Sequence, residues 1–185
     1  MQFPERNRRD TLSGMFDSCL SGRSFAIENR QVKFRLLRRD DLDLWMDFVN
    51  GCSRESLWFR FMVPFRATPE RARRFCDLDP ERELAIVAET SEEGCRKAIG
   101  IARLIKLSCG RKAEFAVIVS DPWQKKTLGY TLSEMSVGLV KQWGVNAVFS
   151  ETMMENRAMI RILKRCRFRV EERNGNMFTM SLPLV

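Results

Sequence analysis

From Gln31 onward the chain carries a sharp hydrophobic pattern. Val32, Phe34 and Leu36 alternate with Lys33 and Arg35, the period of a half-buried strand. Behind Asp40 or Asp41, either of which can cap a helix, Leu42, Trp45, Met46 and Val49 recur at helical spacing until Gly51. Ser53 to Phe61 predicts a second helix with Leu57, Trp58 and Phe61, and Thr68-Pro69-Glu70 starts a third that runs to about Asp77. The period then changes to two. Glu83–Glu89, Ile99–Leu107 and Ala113–Val119 read as strands joined by short polar links such as Ser91-Glu92-Glu93-Gly94, which predicts antiparallel pairing. Gln124–Lys126 leads into a helix with Leu132, Met135, Leu139, Val140 and Trp143 on one face, stopped at Gly144. Val145–Ser150 is another strand. Asn156 caps a helix from Arg157 to about Arg165 with Met159, Ile160 and Leu163 inward. Phe168–Glu172 and Met177–Leu182 form a hairpin around Asn174-Gly175.

Residues 1–30 have weaker periodicity. Ser13-Gly14 and Ser21-Gly22 interrupt it, and Phe16, Leu20 and Phe25 are scattered anchors. An N-terminal arm over 1–30 that adds one short helix or strand is expected, followed by one domain over 31–185. Meandering strands followed by a βαβα run predict an α/β (α+β) architecture, a mixed sheet with helices on its faces.

Composition narrows the chemistry. The 185 residues are 44% hydrophobic, enough for a packed core. There is no histidine. That excludes Ser-His-Asp and Cys-His nucleophiles, an HExxH zinc site and an imidazole base. Acid–base work falls to carboxylates, Lys, Cys or Tyr130, the single tyrosine. The six cysteines form no CxxC pair or zinc spacing, and no metal is expected. The charged start MQFPERNRRD has no apolar core of signal-peptide length, and no apolar run has the length of a membrane span. A cytoplasmic protein with reduced thiols is the expectation. The net charge of +8 suits an anionic ligand or partner. Without a block of five like charges it argues against nucleic acid.

The stretch AEFAVIVSDPWQKKTLGY concentrates the candidate chemistry. A strand ends at Val119, a polar loop follows and a helix begins near Leu128. The free N–H groups of such a first turn, with the helix dipole, make an anion site to which Gln124, Lys125 and Lys126 add donors and charge. On these residues alone, an ordinary βα turn with solvated lysines stands equally open.

Over roughly residues 31–172 the chain resembles the GNAT superfamily of acyl-CoA-dependent N-acetyltransferases. The stretches VKFRLLRRDDLDLW, SRESLWFRF, DPERELAIVAE, IGIARLI, AEFAVIVSDPWQKKTLG and ENRAMIRILKRCRF carry the resemblance in order. It is closest to bacterial protein-lysine acetyltransferases. The resemblance implies a mostly antiparallel sheet of about seven strands with helices on both faces. It also implies acetyl-CoA as acyl donor. The family's pyrophosphate loop, Q/R-x-x-G-x-G/A, stands here as Gln124-Lys125-Lys126-Thr127-Leu128-Gly129, with Tyr130 following. Thr127 replaces the middle glycine, Lys125 a glycine often found second, and Arg167-Phe168 replaces a terminal Gly-Phe.

Further roles follow from the same resemblance. The backbone of Val117 and Val119 would pair with the pantetheine arm, in a slot opened where their strand splays from the one starting near Val145. Asn156 would face that arm, or serve only as a helix cap. Glu114, a carboxylate in an apolar strand, matches the family's general base; the alternative is an outward-facing strand glutamate. The tyrosine acid of many members is replaced by Leu163. Glu83 and Arg60 could border the acceptor, or be a surface carboxylate and a structural ion-pair partner. Trp58 or Phe61 could line the acceptor pocket. Arg157, Arg161, Lys164 and Arg165 could reach a 3′-phosphate, or be a solvated face. The implied reaction is acetyl transfer to a primary amine, with a lysine on an acidic protein surface among the candidates. The other class is a non-catalytic module that binds acyl-CoA.

Overall fold

The computed structural model describes residues 5–20, 22, 24–92 and 94–184. The helices are α1 (Glu5–Leu20), α2 (Leu42–Asn50), α3 (Arg54–Phe61), α4 (Pro69–Cys76), α5 (Leu128–Gln142) and α6 (Arg157–Arg165). The strands are β1 (Ser24–Ile27), β2 (Arg30–Leu36), β3 (Glu83–Glu92), β4 (Cys95–Lys106), β5 (Lys112–Val119), β6 (Ala147–Met153), β7 (Arg169–Asn174) and β8 (Met177–Pro183). They form one sheet in the order β1-β2-β3-β4-β5-β6-β8-β7. Every neighbouring pair is antiparallel except β5–β6.

Period-two alternation divides the core into two layers. Leu84, Ile86, Ala102, Leu104 and Phe115 face one layer with Phe16 and Leu20 of α1, Leu128, Leu132 and Leu139 of α5, and Leu163 of α6. Ala85, Val87, Ile101 and Ile118, from the alternate positions, face Trp45, Phe48 and Val49 of α2 and Ala72 and Cys76 of α4. Gly100 lets α5 approach the sheet closely, since a Cβ there would lie 2.8 Å from Leu132 Cδ1. None of the described helices is long and apolar enough to cross a membrane.

Side chains cap three helices, at Thr68 and Asn156 as the sequence suggests and also at Ser53. Ser53, Thr68 and Asn156 accept from the N–H groups of Ser56, Arg71 and Met159. Asp41 departs from expectation: it sits at the α2 N-cap with no side-chain cap bond. Its carboxylate is taken instead by Arg35, through Nη1–Oδ2 at 2.6 Å and Nη2–Oδ1 at 2.8 Å, and by the Arg38 N–H. A bidentate charged partner outcompetes a neutral N–H.

Eight strands stand where about seven were expected. The additional strand is β1, which pairs with β2 through a tight turn in which Glu28 and Asn29 both have positive φ. Ser13-Gly14 does not interrupt α1. Phe16 and Leu20, four residues apart, are 0% and 2% exposed, and that packing outweighs the propensity cost of Ser-Gly. β6 begins two residues after the expected Val145, which is buried just ahead of the strand. Ser21 and Glu93, assigned to turns from the sequence, lie outside the described residues.

Candidate functional site

β5 and β6 run parallel but share only three rungs, Lys112–Ala147, Ala113–Val148 and Glu114–Phe149. Beyond Glu114 they separate, although β5 continues to Val119 and β6 to Met153. Backbone direction alternates along a strand. The Ser120 N–H bonds the Ile99 carbonyl at 3.0 Å and the Leu107 N–H bonds the Lys112 carbonyl at 2.9 Å, so the even-numbered residues of β5 face β4. Val117 and Val119 therefore turn their backbone groups toward the gap. The Val119 carbonyl accepts from Gln124 Nε2 at 3.0 Å.

The loop at the mouth of this gap begins with a short 3-10 turn over Asp121–Trp123. Asp121 ties it to α3 by accepting from the Ser53 N–H (2.8 Å), Ser53 Oγ (2.6 Å) and Ser56 Oγ (2.9 Å). Burial pushes the Asp121 pKa up, but these bonds outweigh it and hold it below the usual carboxylate value. Gln124 Nε2 also donates to Ser56 Oγ at 2.8 Å, so its amide anchors the loop rather than extending from it. The first helical bond of α5 runs from the Thr131 N–H to the Thr127 carbonyl at 3.0 Å. Among the described residues, the N–H groups of 125–130 have no backbone acceptor. The first turn of α5 has no acidic residue to compensate its positive end.

The two substituted glycine positions keep a glycine conformation. Lys125 has φ 59° and Thr127 φ 66°, and Arg167, where the sequence comparison expects Gly-Phe, has φ 68°. A β-branched residue in the left-handed region is strained. Thr127→Gly is expected to stabilise the fold by about 1 kcal/mol after allowing for glycine's unfolded-state entropy, read as a higher urea midpoint with unchanged m-value. Gly129 is retained for a different reason. A Cβ there would lie 3.0 Å from Ile162 Cδ1 and 3.6 Å from Val119 Cγ2, so β5, α5 and α6 close on it.

Charge around the loop is partly compensated. Lys126 Nζ pairs with Glu28 Oε2 at 2.5 Å, from the β1–β2 turn, and lies 5.8 Å from the Trp123 ring centroid. Lys125 is exposed. Leu128 is fully buried, so only its backbone is available at the loop. Tyr130 lies under Arg165, 3.7 Å from ring centroid to guanidinium, and donates to Glu134 at 2.9 Å. Asn156 Oδ1 is occupied in capping α6, accepting from the Met159 N–H at 3.0 Å. Arg157, Arg161, Lys164 and Arg165 are exposed on α6, which flanks the α5 start at Gly129.

Glu114 stands half-buried on the last rung before the strands separate. Its side chain shares the α2–α4 face of the sheet with Arg103, whose rung partner is Ala116, and with Glu83, whose rung partner is Ile105. Arg60 of α3 reaches this face beside Arg103, with which it lines one cavity. Burial lowers its pKa to about 10, Arg103 acts in the same direction and Glu114 opposes both. Arg60 forms no ion pair among the described residues. Trp58 is exposed, while Phe61 stacks on Phe65 beside this face with ring centroids 3.5 Å apart. Among the described residues no group of three or more His, Cys, Asp or Glu side chains is arranged to hold a metal.

Sequence reasoning missed two partners and undervalued a third residue. Asp121 and Glu28 left no periodic signal, because their contacts cross 68 and 98 residues of chain. Arg103 did leave one: it is the lone charge inside the apolar run Ile99–Ile105.

Residues 31–169 match the family model of the acetyltransferase (GNAT) domain. An acetyltransferase of Pseudomonas aeruginosa is 28% identical over 133 residues, covering 71% of this chain and 72% of its own. The GNAT domain of S. lividans PAT superposes with a TM-score of 0.78 at 18% identity, covering 87% of this chain and 96% of its own. A Salmonella typhimurium structure holding its cofactor acetyl-CoA superposes with a TM-score of 0.68 at 16% identity, covering 83% and 94%.

Proposed function

The chain belongs to the GNAT acetyltransferase family, and from that premise we propose that it transfers the acetyl group of acetyl-CoA directly to a primary amine. The observation that carries this is the gap between β5 and β6 beside a loop rich in free N–H groups. The N–H groups of 125–130, aided by the positive end of α5, hold the pyrophosphate. The backbone of Val117 and Val119 pairs with the pantetheine arm as a short added strand. The thioester then lies near the foot of the gap, where Glu114 stands.

Transfer needs a neutral amine, because an ammonium has no lone pair. A lysine amine has pKa about 10.4 and must lose a proton, which Glu114 accepts directly or through water. The nitrogen lone pair forms the new C–N bond at the thioester carbonyl, whose oxyanion is held by backbone N–H groups. The C–S bond breaks with its electrons passing to sulfur, and the nitrogen, cationic after bond formation, gives its second proton to solvent to leave the neutral amide. CoA leaves as a thiolate that solvent protonates, since the buried Leu163 offers no acid. A protein lysine is the acceptor that the family resemblance favours. A cytoplasmic location fits the six unpaired cysteines.

Calorimetry with acetyl-CoA, followed by acetyl transfer to a panel of amines, tests the proposal. Binding below millimolar concentration with turnover is expected; no binding of any CoA species overturns it. Thr127→Gly should tighten CoA, because the backbone is already in the glycine conformation and the variant clears the branched side chain from the loop. The Lys126–Glu28 pair favours one second reading, a non-catalytic acyl-CoA-binding module, which predicts binding without turnover for every amine tried.

A further inference from the structure

Resting on the proposed acetyl transfer, we propose that the acceptor is an amine that carries a carboxylate close to its nitrogen, and that Arg103 and Arg60 recognise that carboxylate. Arg103 lies on β4 in the α2–α4 layer and its side chain is 5% exposed. One of its nitrogens, Nη2, pairs with Glu83. Its Nε and Nη1 are buried without a partner among the described residues. Phe75 covers the guanidinium, with 4.3 Å between Cζ and the ring centroid. A buried cation with two unsatisfied donors costs stability unless something accepts from them.

Arg103 lines a cavity of about 20 Å³ whose walls are otherwise apolar, Trp45, Phe61 and Phe75 among them, apart from a second guanidinium, Arg60. That volume admits one oxygen-sized group and no apolar side chain. Arg60 lines the same cavity and forms no ion pair among the described residues. Two guanidinium groups thus line the cavity, and a carboxylate, Glu114, stands on the same face of the sheet at the last β5–β6 rung. An acceptor with an ammonium and a carboxylate matches this arrangement at both ends. A purely cationic amine such as a polyamine meets two arginines with nothing to offer them.

Two sources share this chemistry: a free amino acid, and a lysine flanked by acidic residues in a polypeptide. Paired acceptors separate them. Lysine is compared with 1,5-diaminopentane, its decarboxylated counterpart. The capped peptide Glu-Lys-Glu is compared with Gln-Lys-Gln. A preference of about 10- to 100-fold in kcat/KM for the carboxylate member is expected in one arm, and that arm identifies the source. Arg60→Met and Arg103→Met should erase the preference by raising KM for the carboxylate acceptor alone, with Arg103→Lys recovering part of it. Arg60 is half-buried at the rim, so its variant keeps the test alive if Arg103→Met fails to fold. Calorimetry of the same paired acceptors on the unmodified protein reads recognition without turnover. Equal kcat/KM or equal binding within both pairs overturns this proposal and assigns the Arg103 donors to a water. Acetyl transfer to the uncharged-partner amines would still stand in that case. Failure of acetyl-CoA to bind overturns the transfer reading, and the paired binding measurement then decides the carboxylate site by itself.

Discussion

Glu114→Gln is expected to lower kcat by about 10²- to 10⁴-fold while leaving acetyl-CoA affinity unchanged. The substitution keeps the shape of the side chain and removes only its capacity to accept a proton. Glu114 is half-buried on the final β5–β6 rung, at the point from which the separated strands run to the loop. A donor threaded along Val117 and Val119 brings its thioester toward that rung. Glu114 is the one carboxylate of β5, at the foot of the gap; Glu83, on the same face, is engaged by Arg103. Steady-state kinetics with a fixed amine, paired with calorimetry of acetyl-CoA, separates chemistry from binding. Unchanged turnover would remove Glu114 from the role of base. A parallel loss of CoA affinity would show instead that the variant disturbs the sheet.

Arg35→Met should destabilise the fold by about 3–5 kcal/mol, a large part of the stability of an ordinary domain. For a chain of this length the melting temperature should fall by about 10 °C. Arg35 is 14% exposed and joins two buried carboxylates: Asp41 in a bidentate pair, and Glu89 through Nε at 3.1 Å and Nη2 at 2.8 Å. Removing the guanidinium leaves both charges without it. The pair also sets a pH signature. Burial pushes the Asp41 pKa up, but hydrogen bonds from Arg35 and the Arg38 N–H override it and hold the pKa below its ordinary value. A carboxylate depressed in the folded state contributes stability above its unfolded pKa of about 3.9. That contribution is lost as pH falls through the folded value. The gap in melting temperature between wild type and Arg35→Met should therefore be full at pH 7 and close in the acid range below about pH 4. Arg35 itself is raised further above an already high value, so no loss is expected on the alkaline side of neutrality. A constant gap across pH would sink this account.

Much of the fold was legible because burial imposes a period on sequence. Val32, Phe34 and Leu36 could only be one face of a strand, and the run from Leu132 to Trp143 only one face of a helix. Caps at Thr68 and Asn156 were readable because their bonds span three residues. β1 was not readable, since four residues ending at a Glu28-Asn29 turn carry too little pattern to separate a strand from a loop. The candidate site was half legible. The loop 124–130 and Glu114 stood out as candidates, whereas the anchoring of Gln124 by Ser56, and of Lys126 by Glu28, was invisible.

The sequence by itself determined the periodic elements and their order, the exclusion of imidazole chemistry by the absence of histidine, and the substitution of glycine at Lys125 and Thr127. Those are properties of single residues and near neighbours, and local sterics and burial encode them directly. Only the tertiary structure decided that the substituted loop keeps its left-handed backbone, that β5 and β6 part after Glu114, and that Arg103 is buried with donors to spare. Each of these depends on elements far apart in the chain being packed together. The energy that holds Thr127 at φ 66° and Arg103 out of water comes from that packing, not from the residues beside them.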